Sequence, residues 1–305
     1  MQNVFAPAPV TREMLRRFSC SETTLTILNA AASLGWKELE EAADPLCAGL
    51  VAEMDGACGL LWGASLAAGV RARALIPDPA GVREATLAAS IGLVEAYRRA
   101  GHPFDCAQIT GLNTWNFARY MLNGNIRVCS RLISGMAPEF HAVIDRTIDV
   151  HRARGPAGRC RNCAVEAYDR VCRAIDFAAD GTGAVAAGFA GGLGLSGNAC
   201  GALAAAILAV SMKYFTERNR PKHSMIRSDL QGLFLGVGWM RPSMEIARRF
   251  RAGFPGKTCR SIAGRAFASA DELAAHLDSG RCERVLEAVA AAAREAVRTA
   301  SRTTS

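Results

Sequence analysis

Apolar residues recur along this chain mainly at helical spacing. Runs of β-branched residues that would mark strands are scarce, so the pattern predicts helices built on Ala and Leu. In the first half the expected helices run from Cys20 to about Leu34, closed by Gly35 as a C-cap, and from Cys58 to about Leu75, stopped before Pro77 and Pro79. Further helices are expected over Arg83 to Ala100, Thr114 to Leu122 and Cys129 to Val150, and one more leads up to the turn before Cys58. The second half reads the same way and closes with a helix from Cys282 to Thr299. The expected fold class is all-α.

The longest uncharged run lies between Asp180 and Lys213. It is long enough to be weighed as a membrane span. Its many glycines and the turn chemistry of Leu195-Ser196-Gly197-Asn198 point instead to two short buried helices around a tight turn. The turn carries Cys200 into the alanine-rich stretch that follows.

The cysteines show an internal repeat. Cys20 to Cys58 is 38 residues and Cys163 to Cys200 is 37, while Cys106 to Cys129 and Cys259 to Cys282 are both 23. The middle intervals, 48 and 59, differ by an extra 11 residues, for which the basic segment Thr216 to His223 is the natural candidate. Flanking residues agree: Ala57-Cys58-Gly59 resembles Ala199-Cys200-Gly201, and Ile109-Thr110-Gly111 resembles Ile262-Ala263-Gly264. Such self-similarity predicts two copies of one structural unit. The copies are expected over 1–150 and 156–305, joined by a linker within His151 to Gly158, as tandem helical bundles related by a pseudo-twofold.

Composition narrows the chemistry. The chain has 305 residues, half of them apolar, enough to bury a core without staples. The net charge of +8 reads as solvated arginine-rich helix faces, and no interleaved aromatic and basic pattern marks a nucleic-acid module. The N-terminal residues lack the basic and apolar regions of a signal peptide, so a cytoplasmic, non-membrane protein is expected. In that compartment thiols stay reduced unless they bind metal or do redox work, and eleven cysteines call for such a role.

The residues before Cys20, Cys106, Cys163 and Cys259 are Ser19, Asp105, Asn162 and Thr258, all favourable N-caps. Four cysteines are therefore expected in the first turn of a helix, where N–H groups and the helix dipole favour thiolate. Gly59 beside Cys58, and Gly191, Gly192, Gly194, Gly197 and Gly201 around Cys200, would let bare backbone N–H groups approach a sulfur or an anion. Cys47 and Cys172 have no counterpart in the other copy and are expected as ordinary buried residues. Cys160 and Cys163 form a CxxC followed by Ala164 and not by His, so the c-type haem signature is absent. His102, His141, His151, His223 and His276 show no ligand spacing. Asp55 reads as a turn residue, and no nucleophile elbow or P-loop appears.

The second copy resembles the redox-active family named after its cysteine pattern, C_GCAxxG_C_C. The motif corresponds to Cys163, then Cys200-Gly201-Ala202-Leu203-Ala204-Ala205, then Cys259 and Cys282, with Ala205 in place of the final Gly. The first copy resembles a diverged member: Cys20, Cys58-Gly59-Leu60-Leu61-Trp62-Gly63, Cys106 and Cys129, with a glycine-poor approach, Glu53-Met54-Asp55-Gly56. The resemblance implies redox chemistry on Cys20, Cys58, Cys106, Cys129, Cys163, Cys200, Cys259 and Cys282, with an unidentified redox partner. Three readings follow: an iron–sulfur cluster in each copy for electron transfer, metal-free thiol–disulfide chemistry, or a non-catalytic module binding a metal or metabolite. The first is preferred, although the spacing alone does not identify a cluster, and iron is favoured over zinc because the paired short spacings of structural zinc sites are missing. The sequence leaves a homo-oligomer open and does not decide whether the protein is an enzyme.

Overall fold

A computed structural model describes residues 3–155, 161–178, 181–217, 240–254 and 256–302. Among these residues the chain is helical, with two isolated β-bridges, Ala57 with Asp105 and Ala199 with Thr258, in place of any sheet. The first copy contains α1 (Pro7–Arg17), α2 (Cys20–Ala31), α3 (Lys37–Ala42), a 3-10 turn (Asp44–Leu46), α4 (Gly59–Leu75), α5 (Pro79–Arg99), α6 (Cys106–Thr110), α7 (Phe117–Leu122) and α8 (Asn125–Arg154). The second contains α9 (Cys163–Ala174), a 3-10 segment (Thr182–Phe189), α10 (Gly201–Glu217), α11 (Arg241–Gly253), α12 (Cys259–Ala263), α13 (Ala270–Asp278) and α14 (Glu283–Arg302). None of the described helices is long and apolar enough to cross a membrane.

The helix starts follow the capping logic of the sequence. Ser19 accepts from the Glu22 N–H at 3.3 Å, Asn162 from Ala164 and Val165 at 3.0 and 3.1 Å, and Thr258 from Ser261 at 3.1 Å. Cys20, Cys106, Cys163 and Cys259 each occupy the first helical position. Asp105 differs from expectation, because its side chain makes no cap bond. The first donors of α6 are taken by other backbone groups: Cys106 N–H by Gly56 O at 3.2 Å and Ala107 N–H by Met54 O at 2.7 Å. The end of α2 also differs. It closes at Ala31, with Ser33 in the left-handed region, and the Leu34 N–H returns to Asn29 O at 2.8 Å, so Gly35 is not the cap. The expected linker begins as the last turn of α8, and its residues 156–158 lie outside the described residues. The candidate insertion begins as the end of α10, and its residues 218–223 also lie outside them.

Each copy is a bundle. In the first, α4 packs on α2 and α5, and α8 covers α5; in the second, α9 packs on α10 and α14, and α11 covers α14. One apolar core runs through both. The copies exchange segments: the 3-10 segment of the second lies on α4 and α5, and α3 with the 3-10 turn of the first lies on α10. Lys257 Nζ pairs with Glu53 at 2.7 Å and with Asp55, and Arg251 pairs with Glu53, joining the rims of the two copies.

The segment before the second cysteine takes an unusual path in both copies. Ala48, Gly49, Leu50, Val51, Ala52 and then Met54 have positive φ, between 50° and 77°. Gly191, Gly192, Leu193, Gly194, Leu195 and then Gly197 repeat this with the same spacing, between 56° and 81°. The hydrogen bonds repeat as well. Val51 N–H to Pro45 O (2.7 Å) and Met54 N–H to Ala48 O (2.8 Å) match Gly194 N–H to Gly188 O (2.8 Å) and Gly197 N–H to Gly191 O (3.0 Å). Left-handed backbone costs roughly 1–2 kcal/mol per non-glycine residue. The first copy bears that cost at five non-glycine positions and offsets it with these bonds and with burial of Leu50, Val51 and Met54.

Gly201 starts α10 where a Cβ would collide with the Phe189 carbonyl oxygen. Gly201→Ala is expected to lower stability by about 1–3 kcal/mol through overpacking. Gly135→Ala, in α8 with nothing within 4 Å of the added Cβ, is expected to raise stability by up to about 1 kcal/mol through helix propensity. Urea denaturation of the two variants compares them, and equal effects would contradict the close approach.

Candidate functional site: two buried cysteine clusters

The reciprocal backbone bonds around each β-bridge bring the second and third cysteines together. Cys58 N–H donates to Phe104 O at 2.9 Å while Cys106 N–H donates to Gly56 O. In the second copy Cys200 N–H donates to Lys257 O at 2.7 Å and Cys259 N–H to Asn198 O at 2.6 Å. The first cysteine arrives on α2 or α9. The fourth arrives one turn into α8 as Cys129, or just before α14 as Cys282.

Cys58 lies within electrostatic range of Cys20 and Cys129, and Cys106 within range of Cys20, Cys58, Cys129 and Cys47. Cys163 lies within electrostatic range of Cys200 and Cys282, and Cys259 within range of Cys163, Cys200 and Cys282. All ten described cysteines are reduced; Cys160 lies outside the described residues. The cysteines of the first cluster are all buried. In the second, Cys163 and Cys200 are buried, whereas Cys259 and Cys282 are half-buried. As placed, no three His, Cys, Asp or Glu side chains among the described residues are arranged to hold one metal ion.

Backbone donors reach the sulfurs in matching places. The Ala48 N–H, first in the left-handed turn, approaches Cys20, and the Gly191 N–H, first in the matching turn, approaches Cys163. The Leu60 N–H approaches Cys58, and those of Ala202 and Leu203 approach Cys200. The expected helix-start donors are therefore in place, yet they do not make thiolates. Burial outweighs them, pushing Cys163 and Cys129 up to about 12 and Cys200 up to about 11, and raising Cys20, Cys58, Cys106 and Cys259 as well.

The glycines serve packing. Gly59 lies against Cys20 Sγ and 3.1 Å, from its would-be Cβ, to Cys47 Cα, while Gly201 abuts Phe189. Gly197 supplies a positive φ, and its carbonyl accepts from the Arg260 N–H at 3.0 Å. The backbone N–H of Gly191, a glycine expected to approach Cys200, approaches Cys163.

Three further residues of the first cluster escaped the sequence. Cys47, expected as a plain core residue, faces Cys106. The Tyr97 hydroxyl, which donates to Pro103 O at 3.0 Å, lies against Cys58, and the Tyr120 hydroxyl lies against the Cys129 sulfur. Their equivalents, nine residues before the third and fourth cysteines of the second copy, are Phe250 and Leu273, which bring no hydroxyl. Cys172 is buried beside Tyr168 and Asp169, as a core residue. The described histidines are engaged elsewhere: His102 on the Tyr97 ring, His141 beside Asp145, His151 beside Glu84 and His276 against Phe267. His223 lies outside the described residues.

The family described as "Putative redox-active protein (C_GCAxxG_C_C)" matches residues 18–142 and again 160–296. The chain belongs to the C_GCAxxG_C_C family, in two tandem copies. Comparison with curated proteins and with solved structures finds no match. All eight spaced cysteines fall inside the two matched segments, and they are the residues that the fold gathers. The C_GCAxxG_C_C motif ends in Gly63 in the first copy, where a Cβ would strike the Ser21 carbonyl. In the second copy Ala205 takes that place, fully buried.

The donor set fits an iron–sulfur cluster in kind, since the side chains brought near one another are thiols, the usual ligands of such clusters.

Because burial raises these thiols, the folded chain binds more protons than the unfolded chain once pH exceeds the ordinary thiol value of 9.0. Reduced, metal-free protein is expected to keep its stability below about pH 9 and to lose it as pH rises through about 11 to 12, the values at Cys200 and Cys163. Thermal unfolding across this range measures it. A level midpoint would contradict burial as the cause.

Proposed function

We propose that each copy holds an iron–sulfur cluster on its four spaced cysteines, Cys20, Cys58, Cys106 and Cys129 in the first and Cys163, Cys200, Cys259 and Cys282 in the second, and that the protein transfers electrons. The observation that carries this reading is that four separate segments bring the third cysteine of each copy within electrostatic range of the other three. When bound, a cluster supplies one-electron exchange. The chain's own groups supply the rest. The α2 and α9 starts and the reciprocal backbone bonds fix the sulfurs, and the N–H groups of Ala48, Leu60, Gly191, Ala202 and Leu203 stabilise negative charge on them. Burial excludes water.

The copies comprise 1–150 and 156–305 in this reading, and the exchange of 3-10 segments supports a pseudo-twofold between them. Cys259 and Cys282 make the second site the more accessible one. Arg260 and Arg281, adjacent in the chain to Cys259 and Cys282, are exposed, which suits a redox partner with an acidic face.

Anaerobically prepared protein is expected to contain about two or four irons per copy with matching sulfide, and to be brown. Cys200→Ser should remove about half of the iron and of the visible absorption. Full retention in that variant would overturn the assignment for the second copy.

A further inference from the structure

We propose that Cys47 is a fifth sulfur donor of the first site, able to take the place of Cys20 or Cys106 when either ligand is lost. The proposal rests on the reading of the spaced cysteines as cluster ligands and extends it to a residue outside the repeat and outside the family motif.

Cys47 is 8 % exposed and directly precedes the left-handed turn. Its N–H donates to Asp44 O at 3.0 Å, and its carbonyl accepts from the Ala52 N–H at 3.5 Å, so its backbone is fixed from both sides. Two hydroxyls tie this turn to the start of α2, where Cys20 sits. Ser21 Oγ donates to Ala43 O at 2.7 Å, and Ser19 Oγ donates to Asp44 O at 3.5 Å. Gly59 places both cysteines at the same corner, because the space where its Cβ would stand is bounded by Cys20 Sγ and by Cys47 Cα. Cys106 lies within electrostatic range of both Cys20 and Cys47.

The second copy shows what the same frame looks like without this donor. Its equivalent of the Ala52-to-Cys47 hydrogen bond runs from Leu195 N–H to Ala190 O at 3.1 Å, so Ala190 holds the place of Cys47. The first site thus has five thiols on a frame where the second has four. A thiol held at this corner is a soft donor of the same kind as its neighbours.

Iron and sulfide content and the visible spectrum of anaerobically reconstituted full-length variants test this, with helix content by circular dichroism as the check on folding. Cys163→Ser should lose about half of the iron. Cys20→Ser should keep nearly all of it, with a shifted spectrum, and Cys20→Ser with Cys47→Ser should lose the half that belongs to the first site. If Cys20→Ser does not fold, Cys106→Ser with and without Cys47→Ser gives the same comparison. Loss of half the iron in Cys20→Ser alone, or its retention in the double variant, overturns the role of Cys47. Full iron in Cys163→Ser overturns the cluster reading itself, and the proposal with it.

Discussion

The site depends on one backbone device, used twice. A short bridge exchanges hydrogen bonds between the residues around the second cysteine and those around the third: Cys58 to Phe104 and Cys106 to Gly56, then Cys200 to Lys257 and Cys259 to Asn198. The bonds involve the N–H groups of the cysteines themselves, so the sulfurs are positioned by main chain and not by side-chain packing alone. Helix α6 and helix α12, five residues each, could not hold a cysteine in place unaided. The bridge supplies their first acceptors and binds them to the left-handed turn.

That turn explains what the sequence revealed and what it concealed. In the second copy it is written in glycine, at Gly191, Gly192, Gly194 and Gly197, and the stretch reads at once as special backbone. In the first copy Ala48, Leu50, Val51, Ala52 and Met54 adopt the same φ signs although such residues avoid that region alone. Tertiary hydrogen bonds impose the path, and local propensity gives no hint of it. The cradle that looked lost in the first copy is present in backbone form, and the Ala48 N–H does for Cys20 what the Gly191 N–H does for Cys163.

Other features were legible for clear reasons. Ser19, Asn162 and Thr258 mark helix starts because their side chains accept backbone donors, and all three do so. The repeat was legible through cysteine intervals, and the two family matches follow it. The same filter hid Cys47, since its counterpart Ala190 broke the match. Tyr97 and Tyr120 were hidden because nothing in their local sequence points at a sulfur. The copies have therefore kept one frame and diverged in its lining. The first site is enclosed, hydroxyl-lined and rich in sulfur, and the second is simpler and more open.

The frame joins the copies as well. Lys257 accepts the Cys200 N–H through its carbonyl while its ammonium group pairs with Glu53 and Asp55, residues that flank the Met54 carbonyl bound to α6. The rims of the two sites are thus tied by charge. The proposed cluster on cysteine sulfur in each copy is tested most directly by X-ray absorption at the iron edge of the anaerobic full-length protein. Iron surrounded by sulfur is expected, with scattering from a second iron nearby. Iron surrounded by oxygen or nitrogen, or isolated from other iron, would contradict it.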